Sequence, residues 1–482
     1  MKNSRCVLAV ALVLFKSAFC FCQRPNLQKP VKYALESAIF LSNGKTPFWQ
    51  RANQYGIVPS NSPFLTLRPS LETDYKKDST GRNRHLFGWG AGVDVVANFG
   101  SNTQLLLPQA YVKFHVGKFE IWGGRRREVF GLVADSSLTT GAYSWSGNAL
   151  PMSKIQWNTL GFVEIPFTNK NISFSSSFSH GWFGNLAISP GYGTRTNDTY
   201  LHQKTLFLRL GKPTNKVRLY GGVVHNAMWG NEDKIWNDGL KGWRGFVGVL
   251  GGESWASSRV GNHLGSIDFG FDVKGKNWHT TFMRQNIYEA GALYWLRAIP
   301  DGLNSLSFVR INAKNRSSKL VLNKILIEFL HTTNQGGDVS DFVLGIFGRE
   351  DYFNHYLYQQ GWSYRSKVIG TPFISRANEA KPTLPANTNS NNTRVYVWHL
   401  GATGAYKSWN MISKFSLSQN WGNYGAGSFE GKPLQLSGIL EASKPVHLLN
   451  GSELKVGLSF DVGQLYYNSL GLYIGIKKSG IW

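Results

Sequence analysis

Residues 87–99 read Phe87-Gly88-Trp89-Gly90-Ala91-Gly92-Val93-Asp94-Val95-Val96-Ala97-Asn98-Phe99, and this run decides the fold class. Phe87, Trp89, Ala91, Val93, Val95, Ala97 and Phe99 fall on one face; Gly88, Gly90, Gly92, Asp94, Val96 and Asn98 fall on the other. A side-chain period of two belongs to a β-strand whose faces meet different surroundings. Aromatic ends with small aliphatics between them match a membrane strand running from one interfacial girdle to the other. A half-solvated soluble sheet alternates in the same way, so the wider chain has to separate the two.

Outward from this run the alternation recurs. Ala110, Val112, Phe114 and Val116 alternate with Gln109, Tyr111, Lys113 and His115. Leu206, Leu208 and Leu210 oppose Phe207 and Arg209, and Val217, Leu219 and Val223 oppose Arg218 and Tyr220. Leu454, Val456, Leu458, Phe460 and Val462 oppose Lys455, Gly457, Ser459 and Asp461. Turn signals at 211–213 and 274–277 separate such tracts, with neither a long helical pattern nor a linker between them. The last, Leu470-x-Leu472-x-Ile474-x-Ile476, stays in phase through Lys478 and Gly480 to Trp482. That aromatic end resembles the signal by which outer-membrane barrels are recognised by their assembly machinery. These features select an all-β fold: a transmembrane antiparallel β-barrel. At roughly 25 residues per strand and connection, the chain predicts about 18 strands. A barrel so wide needs water or a plug in its lumen.

Composition and the N-terminus set the compartment. Charged residues are 17% and aromatics 14% of the 482 residues, too few charges and too many rings for a disordered chain. The longest apolar run, Cys6–Phe15, is too short for a spanning helix. Lys2 and Arg5 precede it, and Cys20 and Cys22 offer small residues for cleavage before Gln23. Residues 1–22 therefore read as a signal peptide and 23–482 as one barrel domain. Phe19 and Phe21, directly before those cysteines, disfavour a lipoprotein. The leader would carry away Cys6, Cys20 and Cys22, leaving no thiol, disulfide or Cys-based metal site. It would also lower the formal charge from +24 to +21. The expected location is the outer membrane of a Gram-negative bacterium, in contact with its lipid and lipopolysaccharide.

Four stretches do not alternate. The first, 43–56, is mixed and amphipathic and reads as a short periplasmic helix or plug. The second, 125–150, opens on Arg125, Arg126 and Arg127. The third, about 225–265, carries Trp229, Trp236, Trp243 and Trp255 among Gly, Asn and Asp. The fourth holds Tyr352, Asn354, His355, Tyr356 and Trp362. Residues 376–394 are rich in Asn, Thr, Ala and Pro and read as a mobile external loop.

In these stretches the chain resembles the Wzi-type outer-membrane capsule-assembly proteins. The resemblance rests on Thr46-Pro47-Phe48-Trp49 with Asn53-Gln54-Tyr55-Gly56, and on Gly124-Arg125-Arg126 with Ser146-Gly147-Asn148-Ala149. It extends through Gly261-Asn262-His263-Leu264-Gly265-Ser266-Ile267-Asp268 and Tyr352-Phe353-Asn354-His355-Tyr356 to Gly361-Trp362-Ser363-Tyr364. It implies an 18-stranded barrel with a periplasmic helical element, acting as a lectin that holds capsular polysaccharide at the cell surface. No sugar-binding residue of that family transfers to a position here.

The residues themselves suit carbohydrate. Sugar rings pack C–H faces on Trp and Tyr, and their hydroxyls pair with Asn, Asp, His and Arg. Candidate contacts are Trp229, Trp236, Trp243, Arg244, Tyr352, Asn354, His355, Tyr356 and Trp362. Arg125, Arg126 and Arg127 are candidates to line the lumen against an anionic glycan; inward arginines paired to carboxylates, and tryptophans in a girdle or packed under loops, fit the same pattern. No H-E-x-x-H, P-loop or G-x-S-x-G motif occurs, and the eleven histidines show no metal-ligand spacing, so neither enzyme, cofactor nor metal is expected. Basic residues scattered among strands argue against nucleic acid. A surface polysaccharide-binding protein is the leading function, with a porin or saccharide transporter as the alternative.

Overall fold

The computed structural model describes residues 30–76, 85–193, 195–196, 198–234, 240, 242–255, 258–289, 291, 293, 295–311, 320–338, 348–446 and 450–482. The leader expected at 1–22 and the candidate Trp236 lie outside the described residues. Among those described, eighteen strands form the wall: β1 (Val31–Ser42), β2 (Phe64–Thr73), β3 (Phe87–Gly100), β4 (Gln104–Val116), β5 (Phe119–Arg125) and β6 (Ser153–Thr159, resuming at Val163–Glu164). Next come β7 (Ile172–Gly184), β8 (Thr199–Leu210), β9 (Val217–Trp229), β10 (Asn262–Lys274), β11 (Trp278–Tyr288) and β12 (Gly302–Arg310). The wall ends with β13 (Val321–His331), β14 (Val395–Tyr406), β15 (Trp409–Asn420), β16 (Leu434–Val446), β17 (Ser452–Gly463) and β18 (Ser469–Ile481). Each pairs antiparallel with its neighbours in chain order. The seam closes where β1 meets β18, from Lys32↔Ile481 to Ser42↔Gly471. Closure leaves no unpaired edge, which hydrocarbon would not tolerate.

The alternation read in the sequence is the wall's inside and outside. Trp89, Val93 and Phe99 of β3, Val112, Phe114 and Val116 of β4, and Leu206, Leu208 and Leu210 of β8 are all exposed on the exterior. The glycines of β3 face the lumen because β4 fills their places. A Cβ on Gly88, Gly90 or Gly92 would stand 2.5, 2.6 and 2.7 Å from the side chains of His115, Lys113 and Tyr111.

Most short turns and the paired Val31 and Trp482 share one end of the barrel, and the long connections 43–63, 126–152, 185–198, 230–261 and 332–394 share the other. The short helix α1 (Phe48–Arg51) follows β1 and so enters from the long-loop end. The segment leaves β1 at Ser42, opposite the end where Val31 pairs with Trp482. Residues 376–394 depart from expectation. Ser390, Asn391, Asn392 and Thr393 are buried, and Ser390 is clipped to Asn354.

The lumen is occupied by residues of 43–63, 126–152, 185–198 and 332–394. One hydrophobic core joins Phe48 and Trp49 to Tyr143, Trp145, Tyr352, Phe353, Trp362, Phe373 and Tyr466. Irregular backbone inside a barrel has no ladder partner, so the wall must supply acceptors. It does. Asp268 accepts Leu132 N–H (2.7 Å), Gln285 accepts Tyr143 N–H (2.8 Å), Glu328 accepts Thr140 N–H (2.6 Å) and Asp461 accepts Phe48 N–H (2.8 Å). Segment 126–152 dips far enough for Asp135 to meet Lys324 at 2.8 Å, three residues from the short-turn end of β13.

Candidate functional site

The plug decides which predicted residues are free to meet a ligand. Arg126 pairs with Glu120 (2.6 Å), and Arg127 pairs with Asp94, which also holds Arg68 at 2.9 Å. Arg125 donates to Ser153 Oγ (3.0 Å) and Tyr364 Oη (3.4 Å). Arg126 and Arg127 are thus held by wall carboxylates.

Most aromatic candidates are packing residues. Tyr352 and Trp362 are fully buried, and a ring with no exposed face cannot stack on a sugar. Tyr352 donates instead to Asp301 (2.8 Å), and Trp362 packs edge-on to Phe183 at 6.1 Å. Asn354 bonds Asp351 and Ser390, and His355 Nδ1 accepts Leu357 N–H (3.1 Å) beneath the stacked ring of Tyr356. Only Tyr356 of that group is exposed. Trp229 is buried against Tyr200 and Phe246, whereas Trp243 is exposed, as is Arg244. These last two sit on a helix of the connection between β9 and β10.

What remains at the long-loop end is a cavity of about 520 Å³ lined by Phe183, Asn185, Gln360, Tyr364, Arg365 and Arg376, among others. Phe183 and Gly184 line it from the end of β7, where the register shifts between Trp182 and Gly184. Its side is a hairpin in which Ser363 pairs with Val368 and Tyr364 with Lys367. A two-residue hairpin turn of type I′ requires left-handed backbone at both positions, usually supplied by Asn and Gly. Here Arg365 (φ 48°) and Ser366 (φ 68°) hold it, two residues without glycine's freedom. Strain of that kind persists where the surroundings over-determine it. They do: Trp362 N–H bonds Phe353 O (2.8 Å), Ile369 N–H bonds Trp362 O (3.1 Å) and Gln360 Nε2 bonds Ser363 O (2.8 Å).

The turn carries Arg365 into water near the Tyr364 ring (5.9 Å). Across the groove Arg376 is aimed by Asn389, an amide without charge (Nε 3.1 Å, Nη2 2.5 Å). Among the described residues neither arginine has a salt-bridge partner. Arg195, exposed at the rim, donates to Asn185 O (2.9 Å). Three guanidiniums, two amides and a tyrosine edge can bind anionic groups and hydroxyls together. The sequence reading stopped one residue short: it marked Gly361–Tyr364 and missed the Arg365-Ser366-Lys367 that follows. An arginine next to an aromatic run, at a turn without glycine, was the available signal. Arg376 had none.

Beneath the groove, Glu379 locks two loops together. It binds Arg51 of α1 at 3.0 Å and also Lys367 of the hairpin. Burial raises its carboxyl, but Lys367 and Arg51 override it and hold the group at about 2. Burial pulls the Lys367 ammonium down, offset in part by Glu379.

No family model matches the sequence, and no characterised protein matches it by sequence. Solved structures do resemble the fold. Wzi of Escherichia coli, an outer-membrane protein involved in group 1 capsule assembly and a carbohydrate-binding β-barrel, is 11% identical. The match has a TM-score of 0.57 over 92% of this chain and 83% of that one. OccAB4 of Acinetobacter baumannii is 9% identical at a TM-score of 0.48, over 95% and 100% of the two chains. OprD of Pseudomonas aeruginosa is 8% identical at 0.45, over 94% and 95%. The chain has the fold of outer-membrane β-barrels.

Proposed function

We propose that this chain sits in the outer membrane with its long loops outside and binds an anionic surface polysaccharide there, holding it at the cell. The observation that carries the proposal is the groove whose Arg365 and Arg376 make no salt bridge among the described residues while Arg126 and Arg127 are paired. Wzi of E. coli is described as carbohydrate-binding; extending that property here rests on the groove's chemistry. No bond is made or broken, so no acid–base pair is required. A repeating polymer meets many copies of the protein, and retention grows by avidity from weak single contacts.

A porin or saccharide transporter would need a continuous aqueous lumen. The plug core and its bonds to the wall favour an anchor over a conduit.

The test is binding of purified protein to an acidic and to a neutral capsular polysaccharide at low and high salt. At about 1 kcal/mol per partly exposed ion contact, R365A with R376A loses roughly ten- to thirtyfold in affinity for the acidic polymer at low salt. Equal binding of both polymers by the wild type, or an unchanged double variant, overturns the assignment. In cells, deleting the gene releases polysaccharide into the medium while its synthesis continues; full retention of the surface layer refutes the anchoring role.

A further inference from the structure

The connection after β9 does not join the plug. It forms a second helix, α2 (Gly242–Gly251), and lies against the outside of the wall. The strand parity fixes this. On β8 the exposed Leu206, Leu208 and Leu210 share a face with Lys204, His202 and Tyr200 nearer the long-loop end. On β9 Val217 and Leu219 share it with His225, Ala227 and Trp229; on β10 Ile267, Phe269 and Phe271 share it with His263; on β7 Phe178 and Trp182 flank His180. Four adjacent strands thus direct histidines outward. His225 Nε2 and His263 Nδ1 are 2.8 Å apart, and the His202 and His225 rings are 6.0 Å apart.

Helix α2 covers them. Phe246 lies 6.3 Å from the His180 ring, 5.8 Å from His202 and 5.6 Å from Trp229. Ala227, Trp229 and Val260 form a buried cluster with the helix's own Val249. Lys204 Nζ donates to Leu250 O (2.6 Å), placing a cation on a carbonyl of the helix's last turn.

Elsewhere the exterior stays apolar to the long-loop end: Leu41, Phe99, Leu105, Leu434, Val462 and Leu470 are exposed within a residue of their strand ends. Lipid therefore reaches that level of the wall. At the same level on β7–β10, imidazoles and an ammonium would face acyl chains, where polar groups are costly. On the far side of α2, Trp243 (75% exposed) and Val247 (46%) stand one helical turn apart, with Arg244 beside them.

We infer that α2 lies in the outer leaflet as an interfacial helix, with Trp243 and Val247 against lipid and the histidine row sealed beneath. The exposed pair continues the lipid-facing band of β7–β10 and gives Trp243 a lipid contact instead of a glycan one.

The test attaches an environment-sensitive fluorophore at W243C, and separately at V247C, in full-length protein whose Cys6, Cys20 and Cys22 are serine. Protein in lipid vesicles carries spin-labelled lipid at shallow or deep positions, with L206C as a lipid-band control and R365C as an aqueous one. At an interfacial depth of about 5–10 Å, both α2 sites lose roughly half their emission to the shallow label and less to the deep one. The L206C site responds to both labels and the R365C site to neither. Heat-modifiable migration confirms that each variant is folded. Quenching of the α2 sites by aqueous iodide alone overturns the inference. So does protection from both quenchers with W243C–W243C cross-linking, which would assign this face to a second copy of the chain.

Discussion

Replacing Glu379 with glutamine removes the charge shared by Arg51 and Lys367 while keeping the side chain's shape. Those cations approach the carboxylate from two different loops, and their side chains are only 8% and 12% exposed. The carboxyl's fall from an ordinary 4.5 to about 2 corresponds to about 3 kcal/mol of preference for the charged, folded arrangement. Breaking a buried ion pair on one side costs about 3–5 kcal/mol, a matching range. The folded value lies below the ordinary one, so this stabilisation is complete above pH 4.5 and is lost as pH falls toward 2. At pH 7, E379Q is expected to speed amide exchange by roughly two orders of magnitude in 46–56 and 363–380, for a loss of about 3 kcal/mol of local stability. The strands, closed by their own ladder, keep their protection. Hydrogen exchange by mass spectrometry on protein in micelles reads both regions at once. Unchanged exchange around Ala52, whose N–H bonds Phe48 O at 2.8 Å, would refute the claim that this ion pair holds the plug.

Three further outcomes are expected. In a planar bilayer the wild-type protein conducts poorly, and deletion of 126–152 opens large stable steps; large steps from the intact protein would contradict a filled lumen. G92V pushes a Cβ into the Tyr111 ring, 2.7 Å away, and lowers the urea midpoint by about 1–3 kcal/mol of stability, whereas a Tyr111→Ala partner change restores part of it. W482S removes the stack on Tyr33 (4.6 Å), worth about 1 kcal/mol, and slows the appearance of the heat-modifiable band in a pulse-chase, with the backbone bonds between Val31 and Trp482 kept; unchanged kinetics would show that the ring plays no part in closing the seam.

The wall was legible because hydrocarbon imposes a period of two on every strand that meets it. Phe87 to Phe99 and Leu206 to Leu210 point as their alternation predicts, and the strand number follows from length alone. The plug was legible only as departures from that period. Its location was not, because α1 owes its place to Asp461, more than four hundred residues away. For the same reason the tryptophans misled. Trp362 and Trp229 look alike in sequence, yet one packs inside the lumen and the other under a helix on the outside. Helix α2 escaped notice because four glycines in ten residues read as loop.

Charge in this barrel is divided by position, and the division bears on function more than the total does. The wall's Asp94, Glu120, Glu328 and Asp461 are buried, and each holds an arginine, a hydroxyl or a backbone N–H of the segments inside. Carboxylates used in this way cannot line a path for ions or sugars, because freeing them would strand their partners. At the long-loop end Arg365 is held out by a strained turn and Arg376 is aimed by an amide that leaves its charge whole. If the groove binds an anionic polymer, its salt sensitivity should vanish with R365A and R376A and survive E379Q, since Glu379 lies among the plug's own cations. Loss of salt sensitivity in E379Q alone would mean that the groove depends on the plug's integrity and not on its own arginines.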